Sequence, residues 1–204
     1  NILEIAKESL RNQGNAGLGL TGQLTKDFEY VVNDIHQSKG RVIVSGIGKS
    51  AIIGMKIVAT LNSTGTPSIF MHAAEAIHGD LGVVQKDDIL ILISKSGNTP
   101  EIKNLLPFLK QRSIKIVSIT SNKDSFLAKN SNYFLNCFIE KEACINNLAP
   151  TTSTTAQLVI GDALAICLSY LNGFNEKDFA KHHPGGILGK KLHLRLVSHN
   201  LHMT

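Results

Sequence analysis

A chain of 204 residues that is 43% hydrophobic and 18% charged is long enough to bury one core and too apolar to stay disordered, so a single folded domain is expected. Its net charge of +5 argues little for nucleic acid, because the basic residues are scattered, tryptophan is absent and no basic run interleaves with aromatics; a mildly basic surface suits anionic small molecules. No run approaches the roughly 20 apolar residues of a membrane span, and Cys137, Cys144 and Cys167 form no C-x-x-C pair, which excludes a zinc knuckle or disulfide framework and fits a reducing cytoplasm.

The first residues, NILEIAKESLRNQ, read as an amphipathic helix without the apolar stretch and cleavage site of a signal peptide. A second helix is predicted through TGQLTKDFEYVVNDIHQSKG, stopped by Gly40. Short β-branched runs then alternate with helical spacing: RVIVSG (41–46), a helix over Lys49–Asn62, PSIFM (67–71), a short helix around Ala73–Ile77, DILILIS (88–94), a helix over Pro100–Gln111, IKIVSIT (114–120) and NYFLNCF (132–138). Each strand is apolar almost throughout, as strands covered on both faces are. Alternating strand and helix gives right-handed βαβ units and an α/β, three-layer αβα sandwich on a five-stranded parallel sheet. A long helix follows from about Thr154 to Leu171, stopped by Gly173, and Asn175-Glu-Lys-Asp178 reads as the cap of a short helix ending near His182. The final RLVSHNLHMT loses periodicity and the chain begins without methionine, so it is expected to be a piece of a longer protein, with one domain over 1–195 and the start of a linker at 196–204.

The stretch Gly46-Ile-Gly48-Lys49-Ser50 resembles a nucleotide-binding loop at first sight. A Walker A loop needs glycine five positions before the glycine of Gly-Lys-Ser, and that position is Ile43, inside the strand. The dinucleotide pattern G-x-G-x-x-A is satisfied through Ala51, but the second strand ends PSIFMH with no carboxylate to hold a ribose until Glu75. What remains is the physics both motifs share: glycines admit a ligand to the backbone, and the helix that follows presents free N–H groups and a positive dipole end. After the third strand, Ser94-Lys-Ser96-Gly97-Asn98-Thr99 forms a second anion-binding loop, with more hydroxyls than a helix cap requires. A third hydroxyl cluster, Pro150 to Thr155, opens the long helix. Three such loops at strand carboxyl ends and helix starts predict a phosphorylated small molecule as partner.

Gly46-Ile-Gly48-Lys49-Ser50, Ser94 to Thr99 and Thr151-Thr152-Ser153-Thr154-Thr155 together resemble the sugar isomerase (SIS) domain, a flavodoxin-like sandwich that binds phosphosugars. Glu75-Ala-Ile-His78-Gly-Asp80-Leu-Gly, Lys141-Glu142 through Pro150 and His183-Pro-Gly-Gly-Ile-Leu-Gly189 are similar to the D-arabinose 5-phosphate isomerase branch of that family. The resemblance spans residues 1 to about 195. It implies interconversion of D-ribulose 5-phosphate and D-arabinose 5-phosphate through an enediol, at the start of Kdo synthesis for lipopolysaccharide. No cofactor and no metal is implied, and the protein would be a cytoplasmic homotetramer. Family members often carry an acid where this chain has Asn98, and most continue into a pair of CBS domains where this chain ends. The family set maps onto Lys49, His78, Glu101, Glu142 and His183 as catalytic residues. Gly46, Gly48, Ser50, Ser94, Ser96, Asn98, Thr99, Thr151, Thr152 and Ser153 map as substrate-binding.

Proton transfer between two carbons needs a base and a cation beside the oxygens. Lys49 suits the second task. Glu142, an acid among small and apolar residues, is expected to have a raised pKa and is favoured as base, with Glu101 as the alternative; an acid at that helix start also complements the dipole without any catalytic role. The histidines His78 and His183 are implied to reach a site across a subunit boundary, His183 for ring opening, while His72, His182 and His193 read as surface groups. Cys144 reads as a small packing residue. Two other readings stay open: a non-catalytic phosphosugar sensor within a regulator, and an SIS isomerase for another phosphosugar.

Overall fold

Strand and helix alternate as the periodicity predicts in the computed structural model, which describes residues 1–187 and 189–190. Before the sheet come α1 (Ile2–Gly19) and α2 (Lys26–Gln37). The sheet is built from β1 (Val42–Gly46), β2 (Ser68–His72), β3 (Ile89–Ile93), β4 (Lys115–Thr120) and β5 (Tyr133–Asn136), all parallel, in the order β2-β1-β3-β4-β5. The connections are α3 (Lys49–Ser63), α4 (Ala73–Ala76), α5 (Pro100–Gln111) and α6 (Phe126–Lys129), and α7 (Thr152–Leu171) and α8 (Glu176–His182) follow β5.

The strand β3 shows why the central strands read as unbroken apolar runs. Ile89, Ile91 and Ile93 enter one core with Val44 and Val117 under α2, α3 and α7, while Leu90 and Leu92 enter a second core with Ile43 and Ile116 under α4, α5 and α6. Both faces are therefore covered, and the three-layer sandwich stands. The register aligns Gly46 with His72 on one side and Ile93 on the other. Because β2 and β3 flank β1 on opposite sides, the winding reverses at β1 and leaves a crevice between the loops that follow β1 and β3.

Several boundaries differ from the sequence reading, each for a tertiary reason. The second helix starts at Lys26, after a 3₁₀ turn at Leu20–Gln23 and an extended Leu24–Thr25. The Gln23 amide is committed elsewhere, donating to the Phe138 carbonyl (3.0 Å) and accepting the Phe138 N–H (3.1 Å). Gly40 is not the stop of α2, which ends at Gln37; a Cβ there would stand 2.2 Å from the Asp87 backbone, so it is a close-packing glycine. Gly173 does end α7 as expected, at φ +62 with the Phe174 N–H bonded to the Ser169 carbonyl. The Asn175–Asp178 capping box of α8 also forms. The helix α7 has the length and apolarity of a membrane span, but Ala156, Ile160, Leu164, Ala165 and Leu168 are spent on the first core. His193 and the boundary near 195 lie outside the described residues.

Candidate active site at the sheet's carboxyl edge

Three long helices begin where the crevice opens, and none is capped by its own N-cap side chain: Gly48 precedes α3, Thr99 precedes α5 and Thr151 precedes α7. Each therefore presents first-turn N–H groups and a positive dipole end to whatever lies in front of it. Between them sits a cavity of about 280 Å³ that gathers Lys49, Ser50, Ser94, Ser96, Thr99 and Ser153 of the predicted set, together with Lys95. A larger groove of about 780 Å³ lies at the opposite edge of the sheet, where Asp34 and Asp88 are neutralised by Lys115 and Arg41; it carries none of the predicted chemistry.

Backbone conformation shapes the two anion loops. Gly48 adopts φ +58, ψ −131, a combination closed to side-chain-bearing residues, and a Cβ at Gly46 would crowd the Ser50 backbone at 3.1 Å where the chain drops from β1 into α3. In the second loop Gly97 sits at φ +64, and a Cβ there would lie 2.1 Å from Ser125 Oγ. The Ser94 hydroxyl accepts the Gly97 N–H (3.1 Å) and bonds the Thr99 hydroxyl (2.8 Å), so the loop is shaped by its own hydroxyls. Asn98 is turned to structural work: its side chain donates to the Ser96 carbonyl and accepts the Phe126 N–H.

Glu142 is fully buried and accepts from every side. Oε1 takes the Lys95 ammonium at 2.7 Å, and Oε2 takes the N–H groups of Thr151 (2.8 Å) and Ser153 (3.1 Å) and the Thr151 hydroxyl (3.3 Å). Glu142 is thus the acid that caps α7, which is why that helix starts at Thr152, two residues before the predicted start. The expectation of a raised pKa is overturned. Burial alone raises the carboxyl, but Lys95, Ser153 and the Thr151 N–H outweigh it and hold the group at about 2. The loop around it is buckled by Asn147, whose side chain accepts the Glu142 N–H (2.6 Å), and by Cys144, whose sulfur accepts from Ala149 and Leu148 (3.3 and 3.4 Å), lowering its thiol pKa.

The remaining predicted residues separate. Thr151 serves Glu142, and Thr152 faces a different cleft toward α1. Glu101 stands half-exposed in the first turn of α5, outside the cavity lining. His78 is exposed beyond β2, before Gly79 at φ +132. His183 lies at the other edge of the sheet: its Nε2 is 3.0 Å from Ser63 Oγ at the far end of α3, about 20 Å from Lys49 at the helix rise, and its ring stacks on Phe179. His182 is a surface group as expected. His72 is not, being half-buried at the end of β2 with a buried Nδ1 that has no partner among the described residues.

Sequence reasoning missed Lys95 and Gln157. Gln157 is buried one turn along α7 from Ser153, lines the cavity and accepts from the Ser50 hydroxyl at 3.2 Å; the signal for it was its i+4 spacing from Ser153. Lys95 had the plainer signal of lying between two predicted phosphate hydroxyls.

Comparison with known proteins places residues 34–167 in the SIS domain family. The chain is 50% identical over 192 residues to a probable arabinose 5-phosphate isomerase of Haemophilus influenzae, covering 94% of this chain and 57% of that protein. It is 52% identical over 180 residues to arabinose 5-phosphate isomerase KdsD of Francisella tularensis, covering 87% and 55% respectively. The chain therefore spans a little over half the length of these curated relatives. Among solved structures, the E. coli CFT073 protein c3406 in complex with arabinose 5-phosphate superposes with a TM-score of 0.86 at 40% identity, covering 90% of this chain and 97% of that one.

Proposed function

The chain belongs to the SIS domain family, and from that premise we propose that it is an aldose–ketose isomerase interconverting D-arabinose 5-phosphate and D-ribulose 5-phosphate, the step that opens Kdo and lipopolysaccharide synthesis. The observation that carries this is the cavity where the amino termini of α3 and α5, the hydroxyls of Ser50, Ser94, Ser96 and Thr99, and the cations Lys49 and Lys95 converge beside a buried carboxylate. The relatives named as arabinose 5-phosphate isomerases at 50–52% identity support the substrate.

The two helix starts and the hydroxyls hold the phosphate. Glu142 already occupies the start of α7, so that dipole serves the acid instead of the ligand. In the aldose-to-ketose direction, the C2 proton passes to Glu142 and its electron pair forms the C1–C2 enediolate. O2 loses its proton, O1 gains one, and return of the abstracted proton to C1 gives the ketose. Lys49 stands beside the charge that develops on oxygen, and Glu101 is the second acid available for exchange with oxygen. No external oxidant or cofactor is called for, because one carbon is reduced as its neighbour is oxidised.

His183 faces away from its own protomer's cavity, which supports a role in a neighbouring subunit's site, with His78 at the rim. The exposed Ile2, Leu3, Ile5 and Leu10 of α1 support a homo-oligomer, a tetramer in the family resemblance. Three unpaired cysteines support a cytoplasmic setting. The test is incubation with D-arabinose 5-phosphate in deuterium oxide: ketose should appear with solvent deuterium at carbon, and a folded sample producing neither ketose nor exchange would refute the reading.

A further inference from the structure

Lys95 stands between the cavity and Glu142. Its side chain lines the cavity and is 46% exposed, whereas that of Glu142 behind it is 0% exposed. Of the two carboxylate oxygens, Oε2 is held by backbone and hydroxyl donors of α7 that are parts of the helix start, and Oε1 is held, among the described residues, by the Lys95 ammonium alone. Oε1 is therefore the only one of the two whose partner can leave without unwinding a helix. We infer that Lys95 is a positioning residue that couples phosphate to the base: as folded, its ammonium covers Oε1, and a phosphate dianion seated in the Ser94–Thr99 loop draws it off and frees that oxygen toward the cavity.

The pivot is built into the loop. Lys95 lies between Ser94 and Ser96, and its carbonyl accepts both the Ser121 N–H and the Thr120 hydroxyl at 3.0 Å, so its backbone is pinned to β4 and only the flexible stem is free to swing. The competition favours release, since a phosphate dianion carries twice the charge of the carboxylate and meets the ammonium on its solvent-facing side. The charged and titratable groups around Glu142 are few. Lys95 comes from the loop after β3, α7 supplies neutral donors, the 142–151 turn supplies Asn147 to the Glu142 N–H, and Cys137 beside Lys95 is a buried thiol pushed up to about 11 by burial and so stays neutral. Moving one ammonium thus removes the only cation bonded to the carboxylate among the described residues, and the buried group, left with burial and fewer donors, becomes a better proton acceptor.

This inference deepens the isomerase reading and rests on it in taking Glu142 as base, but its test does not require turnover. The protein is labelled with δ-¹³C glutamate, the Glu142 signal is identified by its loss in Glu142→Gln, and its titration is followed with and without saturating inorganic sulfate, which mimics the phosphate group and stays a dianion through the acid range; binding of sulfate there, and of inorganic phosphate at neutral pH, is measured by calorimetry. In the wild type the Glu142 signal should stay ionised through the acid range in which the protein remains folded, and sulfate should raise its titration by about one to three pH units. Lys95→Met should show the raised titration without sulfate and no further movement with it; Lys95→Arg should behave as wild type without sulfate. Sulfate that binds and leaves the wild-type Glu142 signal unmoved overturns the coupling alone, as does a Lys95→Met variant that titrates like wild type. Failure of both sulfate and phosphate to bind overturns both this inference and the phosphosugar reading. A Glu142 signal that responds to sulfate in a protein that never isomerises overturns the isomerase and leaves the coupling standing.

Discussion

Glu142 is an acid that the fold keeps charged, and two predictions attach to it. Glu142→Gln preserves shape and leaves the phosphate groups of α3 and α5 in place, so binding of D-arabinose 5-phosphate should persist while kcat falls by about two to four orders of magnitude; steady-state kinetics beside calorimetry reads both. The same carboxyl links stability to pH. Its pKa is depressed on folding from 4.5 to about 2, so its contribution is fully present above pH 4.5 and is lost as pH falls toward 2. The amount is about 3 kcal/mol, set by the size of the shift. Urea denaturation at a series of acid pH values should show that loss in the wild type and a flatter profile in Glu142→Gln. The sequence pointed to Glu142 through its family motif but misjudged its surroundings. Its neighbours in the chain are small and apolar, whereas its partner Lys95 is 47 positions away and its other donors belong to a helix start. Burial is readable from composition, but the donors that reverse its effect are tertiary.

At the scale of elements, α3 and α7 are held together by a single missing side chain. Gly161 of α7 faces Ile57 of α3, and a Cβ there would fall 2.3 Å from the Ile57 side chain, which is fully buried. Gly161→Ala should therefore destabilise the protein by about 1–3 kcal/mol through overpacking, lowering Tm by about 2–4 °C for each kcal/mol, and Gly161→Ala combined with Ile57→Val should recover part of the loss; calorimetric melting measures both. The pair also frames the cavity, since α3 brings Lys49 and α7 brings Ser153. The strands and the helices between them were legible because both-face burial writes continuous apolar runs, as in β3, and because Gly and Pro mark their ends. The break at Leu24–Thr25 and the early start of α7 were not, because Gln23 and Glu142 set them through bonds to distant backbone.

For the whole molecule, the length of α7 decides where the histidine goes. Its 20 residues carry the chain about 30 Å from the strand carboxyl ends, so α8 and His183 emerge at the opposite edge from the cavity. If that histidine serves a neighbour's site, inactive Glu142→Gln and His183→Ala proteins should regain partial activity when dissociated and reassembled together, as mixed oligomers acquire sites with both residues intact; turnover no higher than that of the separate variants would place His183 outside the site. The sequence suggested a shared site through its family motif, and helix length accounts for the distance of His183 from its own protomer's cavity. The same scale applies to α1, none of whose residues is buried and whose inner side leans on α7. A helix of 18 residues with none buried is weakly held, so if it lies in the interface of the proposed oligomer its backbone amides should exchange with solvent at a rate that rises on dilution. Those of β3, fixed between two cores, should exchange only when the sandwich itself opens. Assembly and local order would then be one equilibrium, and protein concentration would set how much of the chain is folded.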